Sequence, residues 1–279
     1  MTQWVPLESR HDDVPAEIQQ PLLDWLRYIV DDALLARILA RAQADGARLK
    51  WAAQLRKHAG HGLGRPEHQF VLPYEILFEL VHCDADRLLH LVDLALGEGV
   101  PDPDRTVPGL AALLDDAGSP WRVANGRNGL VLRVSETVAN NLGEAVSAAA
   151  QGAAGHLSAA WRHAFALRPD PARAYSEAIR AVEVSAIPVV SPADARATLE
   201  TVIRDLSREG PYRWRLAIPT PDPGQGLETL IGMLWLLWQG QQADRSGRPS
   251  PESAQAAVQL AVTLVQWFST ATLRTAGAP

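Results

Sequence analysis

At 279 residues the chain is long enough to bury one large core or two modest ones. Hydrophobic residues make up 47% and charged residues 21%, ordinary values for a globular protein. The formal charge of −6 argues against a polyanion binder by bulk electrostatics, so any nucleic-acid site has to be a local arginine cluster. The imbalance sits mostly in residues 1–134, with 14 basic and 19 acidic side chains against 12 and 13 in residues 135–279. Lysine is nearly absent (Lys50 and Lys57), a bias of a GC-rich bacterial genome rather than of a function. A lone Cys83 rules out an intrachain disulfide and fits a reducing cytoplasm. Met1 to Pro15 has no apolar core of a signal peptide, and the densest apolar run, Leu227 to Trp238, is too short to cross a bilayer.

In chain order, residues 14–43 read as helical. Leu22, Leu23, Leu26, Ile29 and Val30 recur at helical spacing, with a break expected near Asp31-Asp32. A short basic helix over 47–57 and a glycine- and histidine-bearing loop from Gly60 to Pro73 follow. Tyr74 to Leu96 returns to helical periodicity. Gly97 to Pro108, with three prolines, reads as a connection, and Leu110 to Leu114 as a helical turn. Trp121–Val123 and Leu130–Val134 flank Asn125-Gly126-Arg127-Asn128-Gly129 and read as one small β-hairpin, after which a domain boundary is placed.

The second half is better punctuated. Ser135 caps a helix expected to run on to Phe165 with a kink at Gly152 or Gly155. Asp170-Pro171 and Ser250-Pro251 are N-caps followed by proline at the first helical position, and Ser191-Pro192 reads the same way, with Asp194 as the acid of a capping box. Leu227, Leu230, Ile231, Leu234, Trp235 and Trp238 form the stripe of another helix. The resulting expectation is a mainly α protein. Its C-terminal helical bundle (135–279) is preceded by a helical N-terminal domain (1–134) ending in the hairpin.

Several strings carry a family likeness. Ala160-Trp161, Arg168-Pro169-Asp170-Pro171, the run Ala174 to Glu183, Ala197-Thr198-Leu199, Trp214 and the run Leu260 to Phe268 resemble the C-terminal module of bacterial abortive-infection proteins, all-helical domains of the HEPN superfamily. The resemblance covers the second half only. It implies a bundle that pairs as a homodimer in phage defence. In active members an arginine and a histidine a few residues later activate a ribose 2′-hydroxyl and neutralise the phosphate without metal. The chain departs from that pattern: its polar turn, Gln239 to Ser250, offers Arg245 and Arg248 but has Ser246 where relatives place histidine, and no histidine follows His163. A serine hydroxyl is neither acidic nor basic near pH 7, so the resemblance implies a weak or inactive ribonuclease that acts by binding RNA or a protein.

The residues weighed for function follow from this. Catalysis, if any, is assigned to Arg245 with Glu183 or His163, and RNA or partner binding to Arg245, Arg248, Arg180, Arg213, Arg215 and Trp214. Against these stand plainer readings: solvated loop arginines, an Arg180–Glu183 intrahelical pair, and Trp214 as a core anchor. His58, His61 and His68 near Glu67 invite a metal reading but lack a second ligand pair. His82, Cys83, Asp84, Asp86, His90 and Asp93 read as a solvated helix face. Gly224-Gln225-Gly226 lacks the lysine of a phosphate loop. No metal and no cofactor is expected. A homodimer burying Trp235, Trp238 and Trp267 is, because nine tryptophans exceed what one small core demands.

Overall fold

The computed structural model describes residues 16–44, 85–218, 220–244 and 249–276. The chain is mainly α-helical and divides into two compact units between Arg133 and Val134. Among the described residues no helix is long and apolar enough to cross a membrane.

The first unit contains α1 (Ala16–Ile29), α2 (Asp32–Ala44), α3 (Ala85–Glu98), α4 (Pro103–Asp116) and the hairpin strands β1 (Trp121–Val123) and β2 (Leu130–Leu132). α1 and α2 part at the expected aspartates, where the Asp31 carboxylate accepts the Leu34 N–H at 2.7 Å. Fully buried leucines Leu22, Leu26, Leu34, Leu88, Leu91, Leu110 and Leu114 make the core. The proline-rich segment is not the connection that its composition predicts. α4 starts at Pro103 and carries Pro108 inside. A proline in the first turn has no intrahelical N–H bond to lose, so Pro103 opens the helix instead of breaking it. The hairpin pairs antiparallel, Arg122 opposite Val131. Asp93 fixes it from α3: its carboxylate accepts the Leu130 N–H at 2.8 Å. Gly129, at φ 152°, leaves no room for a Cβ beside that carboxylate. The 47–57 helix and the Gly60–Pro73 loop lie outside the described residues, as does the start of the Tyr74–Leu96 helix.

The second unit contains α5 (Glu136–Ala148), α6 (Gln151–Phe165), α7 (Pro171–Val190), α8 (Leu199–Arg213), β3 (Trp214–Leu216), α9 (Pro223–Asp244), α10 (Pro251–Ser269) and β4 (Leu273–Thr275). α7 is central, packing on α6, α8, α9 and α10. Its buried positions Ala174, Ala178, Ala181 and Ala186 are small, which lets four neighbours approach one helix, while Ile179, Val182 and Val190 fill the gaps. Ser135, Asp170 and Ser250 cap α5, α7 and α10 as expected, each accepting from the N–H three residues on. Such caps are worth about 1 kcal/mol each.

Three expectations fail here. The long helix from Ser135 breaks at Ala149-Ala150, which are extended, and not at a glycine. Alanine is the best helix former, so no local signal marks this break and packing overrides propensity. Ser191 ends α7 instead of opening the next helix, and its hydroxyl donates to Asp205 at 2.7 Å. α8 opens instead at Thr198, with the Glu183 carboxylate of α7 accepting the Leu199 N–H at 2.8 Å. Finally, β3 and β4 pair antiparallel, a second two-stranded sheet that no local sequence pattern announces.

Candidate functional site

α6 and α7 form an antiparallel helical hairpin, and their facing surfaces hold a seam of titratable groups. His156 and His163 are seven residues apart on α6, so they share a face. Arg173, Glu177 and Arg180 share a face of α7 for the same reason. Glu177 is the hub. Its side chain is only 14% exposed, and its Oε2 lies 2.7 Å from His156 Nδ1, with its Oε1 3.7 Å from Arg180 Nη1. Burial raises the Glu177 pKa, but the hydrogen bond and charge of His156, with Arg180 and Arg173, outweigh it and hold the carboxyl below the ordinary glutamate value. The carboxylate is therefore ionised at neutral pH and can only accept, so His156 Nδ1–H donates.

His163 lies at the other end of the seam. Burial first, then Arg173 and Arg162, lower its pKa, while Asp170 and Glu177 pull weakly the other way. At pH 7 it is a neutral imidazole beside two exposed guanidinium groups. The main chain fixes the place: the His163 carbonyl accepts the Asp170 N–H at 2.9 Å, and Asp170 caps α7.

The facing ends of α9 and α10 approach α6 and α7. Gln255, in α10, donates to the Ala164 carbonyl next to His163 at 3.3 Å. Gly240, near the end of α9, meets the Tyr175 hydroxyl of α7 so closely that a Cβ there would overlap it. The helix ends flanking the turn are thus tied to α6 and α7 beside His163. Arg245 and Arg248 themselves lie outside the described residues.

The remaining sequence candidates separate. Glu183 holds the first turn of α8 through Leu199 N–H, so its carboxylate is committed to the main chain. The expected Arg180–Glu183 pair is replaced by Arg180–Glu177, one turn earlier on the same helix. Trp214 is 2% exposed and donates its indole N–H to Glu209 Oε2 at 2.7 Å, so it is a core anchor and offers no face for stacking. Arg213 pairs with the other oxygen of Glu209 at 2.7 Å and lies over the Trp214 ring, 5.2 Å from its centroid. Arg215 is exposed on β3.

Asp93 serves the hairpin, and the Asp222 carboxylate accepts the Gly224 N–H at 2.8 Å, which leaves the Gly224-Gln225-Gly226 turn capped by its own chain. His58, His61, His68, His82, Cys83 and Asp84 lie outside the described residues, and among the described ones no cluster of histidine, cysteine, aspartate or glutamate could hold a metal ion. Sequence reasoning named His163 but missed its neighbours Arg162 and Arg173 and the His156–Glu177 pair. The available signal was helical spacing on two consecutive helices joined by a short link, which brings them face to face. The chain matches no protein-family model, no curated protein and no solved structure.

Proposed function

We propose that the second unit is a HEPN-like RNA-binding domain of bacterial phage defence, working in the cytoplasm as a homodimer with weak or no nuclease activity. The observation that carries this reading is the arginine-flanked end of the α6–α7 seam: Arg162 and Arg173 are exposed beside His163. Guanidinium groups gathered around a half-buried end suit a phosphodiester. The carboxylates around them are engaged elsewhere: Asp170 caps α7, Glu177 holds His156 and Arg180, and Glu183 holds α8.

The dimer is assigned to α9. Its exposed face carries Leu236, 65% exposed, and Trp235, which stacks edge-on with Trp238 at 5.1 Å. A helix that is apolar on its outer face as well as its inner one has a partner to bury it.

A second reading is an altered endoribonuclease, and the position of His163 favours it. A neutral imidazole beside arginines is suited to take a proton from a ribose 2′-hydroxyl while the cations stabilise the phosphorane. Labelled RNA incubated with the purified chain in chelator separates the two. The binding reading expects retention of RNA with little cleavage, and weaker retention in Arg162→Ala/Arg173→Ala. Rapid metal-independent cleavage, lost in His163→Ala and in Arg245→Ala, would establish the enzyme instead. Absence of both binding and cleavage would remove both readings.

A further inference from the structure

β3 and β4 place Arg215 directly opposite Arg274 in register. The pairing continues at both ends, with Ala217 N–H on the Thr272 carbonyl at 2.8 Å and Ala276 N–H on the Arg213 carbonyl at 2.6 Å. Alternation then decides the faces. Trp214 and Leu273 are buried on the inner side, while Arg213, Arg215 and Arg274 are exposed. Like charges opposite each other across an antiparallel ladder destabilise it. Here they are not neutralised locally. Glu209 gives both oxygens to Arg213 and Trp214, and Asp205 faces Arg204 and Arg208 on α8. Asp222, at the start of α9, accepts the Gly224 N–H. Arg274 donates its Nε–H to the Ala271 carbonyl, and neither it nor Arg215 has a carboxylate within ion-pair distance among the described residues. Tyr212, at the end of α8 two residues before β3, is 94% exposed.

We infer that the outer face of this β-ribbon is a docking surface for single-stranded RNA, with Arg215 and Arg274 on the phosphates and Tyr212 stacking on a base. The inference rests on the RNA-binding reading above and adds a second site to it. Arg215 and Arg274 start from Cα positions about 5.5 Å apart across the ladder, a narrow pair of charges suited to one backbone rather than to a duplex. An exposed aromatic at its edge is the usual sequence-tolerant partner of an unpaired base. An acidic peptide would satisfy the arginines but leave the tyrosine ring without a role. The ribbon packs on the start of α9 through Leu216 and Gly226, whereas the seam meets α9 at Gly240. Fourteen helical residues separate the two, about 21 Å along the axis.

The test is anisotropy of a fluorescent oligouridylate with the full chain at several salt concentrations. Arg215→Glu/Arg274→Glu is expected to weaken binding at least ten-fold and to flatten the salt slope by about 1.4, at roughly 0.7 for each phosphate no longer neutralised. Arg215→Lys/Arg274→Lys, which keeps the charge, retains the slope. Tyr212→Ala loses about five-fold or more. All the substituted residues are exposed, and an unchanged helical melting curve confirms folding. Wild-type affinity in the charge-reversed variant, with binding lost in Arg162→Ala/Arg173→Ala, would overturn the ribbon and leave the RNA reading intact. No binding of RNA by the wild-type chain would overturn both. Displacement of the labelled RNA by polyglutamate at far lower concentration than by unlabelled oligouridylate would assign the ribbon to an acidic protein partner and overturn the inference.

Discussion

The two units differ only in part in how they use polar side chains. Both hold main chain, as when Asp93 takes Leu130 N–H in the first and Glu183 takes Leu199 N–H in the second, and both carry exposed ion pairs, Arg127–Asp104 and Arg133–Asp115 in the first and Arg213–Glu209 in the second. Among the described residues the second unit adds a half-buried histidine–carboxylate–arginine group, His156–Glu177–Arg180, and the opposed arginines of the ribbon. Exposed apolar bulk divides the same way. Of the large hydrophobic residues exposed among the described ones, only Tyr28 belongs to the first unit, against Val184, Tyr212, Ile218, Trp235 and Leu236 in the second. Polar groups that satisfy buried main chain stabilise a fold and leave little for a ligand. Polar groups gathered at a surface do the reverse, and that contrast favours the second unit for recognition.

The largest expected effect concerns self-association. Leu236→Glu puts a charge into the proposed α9 interface and should convert a dimer to a monomer in sedimentation velocity, whereas Tyr28→Glu in the first unit should leave the mass unchanged. A dimer that survives Leu236→Glu would place the interface elsewhere.

Next come Glu183→Ala and Asp93→Ala. Each strands a main-chain N–H, at Leu199 and Leu130, and should cost about 1–3 kcal/mol in urea denaturation. Glu183→Gln keeps an acceptor and should recover most of the loss. If Glu183→Gln abolished an RNA-directed activity while stability stayed level, Glu183 would be part of the chemistry and the contrast between the units would blur.

The smallest effect is in pH. The folded state holds His163 below its ordinary pKa, so the unfolded chain binds the proton more readily. Stability should therefore fall as pH drops through about 6.5. The depressed Glu177 acts in the same direction but lower, below the ordinary glutamate range, where its contribution is lost on protonation. Thermal melts from pH 7.5 to 5 should show the first decline, and His163→Gln should remove it. A flat profile in the wild-type chain would mean that the imidazole is not held neutral.

Much of the fold is local and legible in order along the chain. Leu22, Leu26 and Ile29 declare α1 by spacing, and Ser135, Asp170 and Ser250 declare starts because a side chain can reach the N–H three residues on without help from distant segments. Asn125-Gly126 declares the hairpin. What failed locally had a distant partner. Ser191-Pro192 has every mark of a helix start, yet the chain begins α8 at Thr198, where Glu183 reaches across from α7. Trp214 reads as a patch residue until Glu209 and β4 enclose it.

The sequence by itself determined that this is a helical protein, where most of its helices begin, and that its second half carries arginine beside very few imidazoles. Only the tertiary structure decided which of those groups meet: His156 with Glu177, His163 with Arg162 and Arg173, and Arg215 with Arg274 across a ribbon whose strands are far apart in the chain. The physical reason is range. Helix periodicity and capping act over a few residues. The chemistry of a site depends on the burial and charge that a group meets when distant segments pack, and no local pattern of residues encodes that meeting.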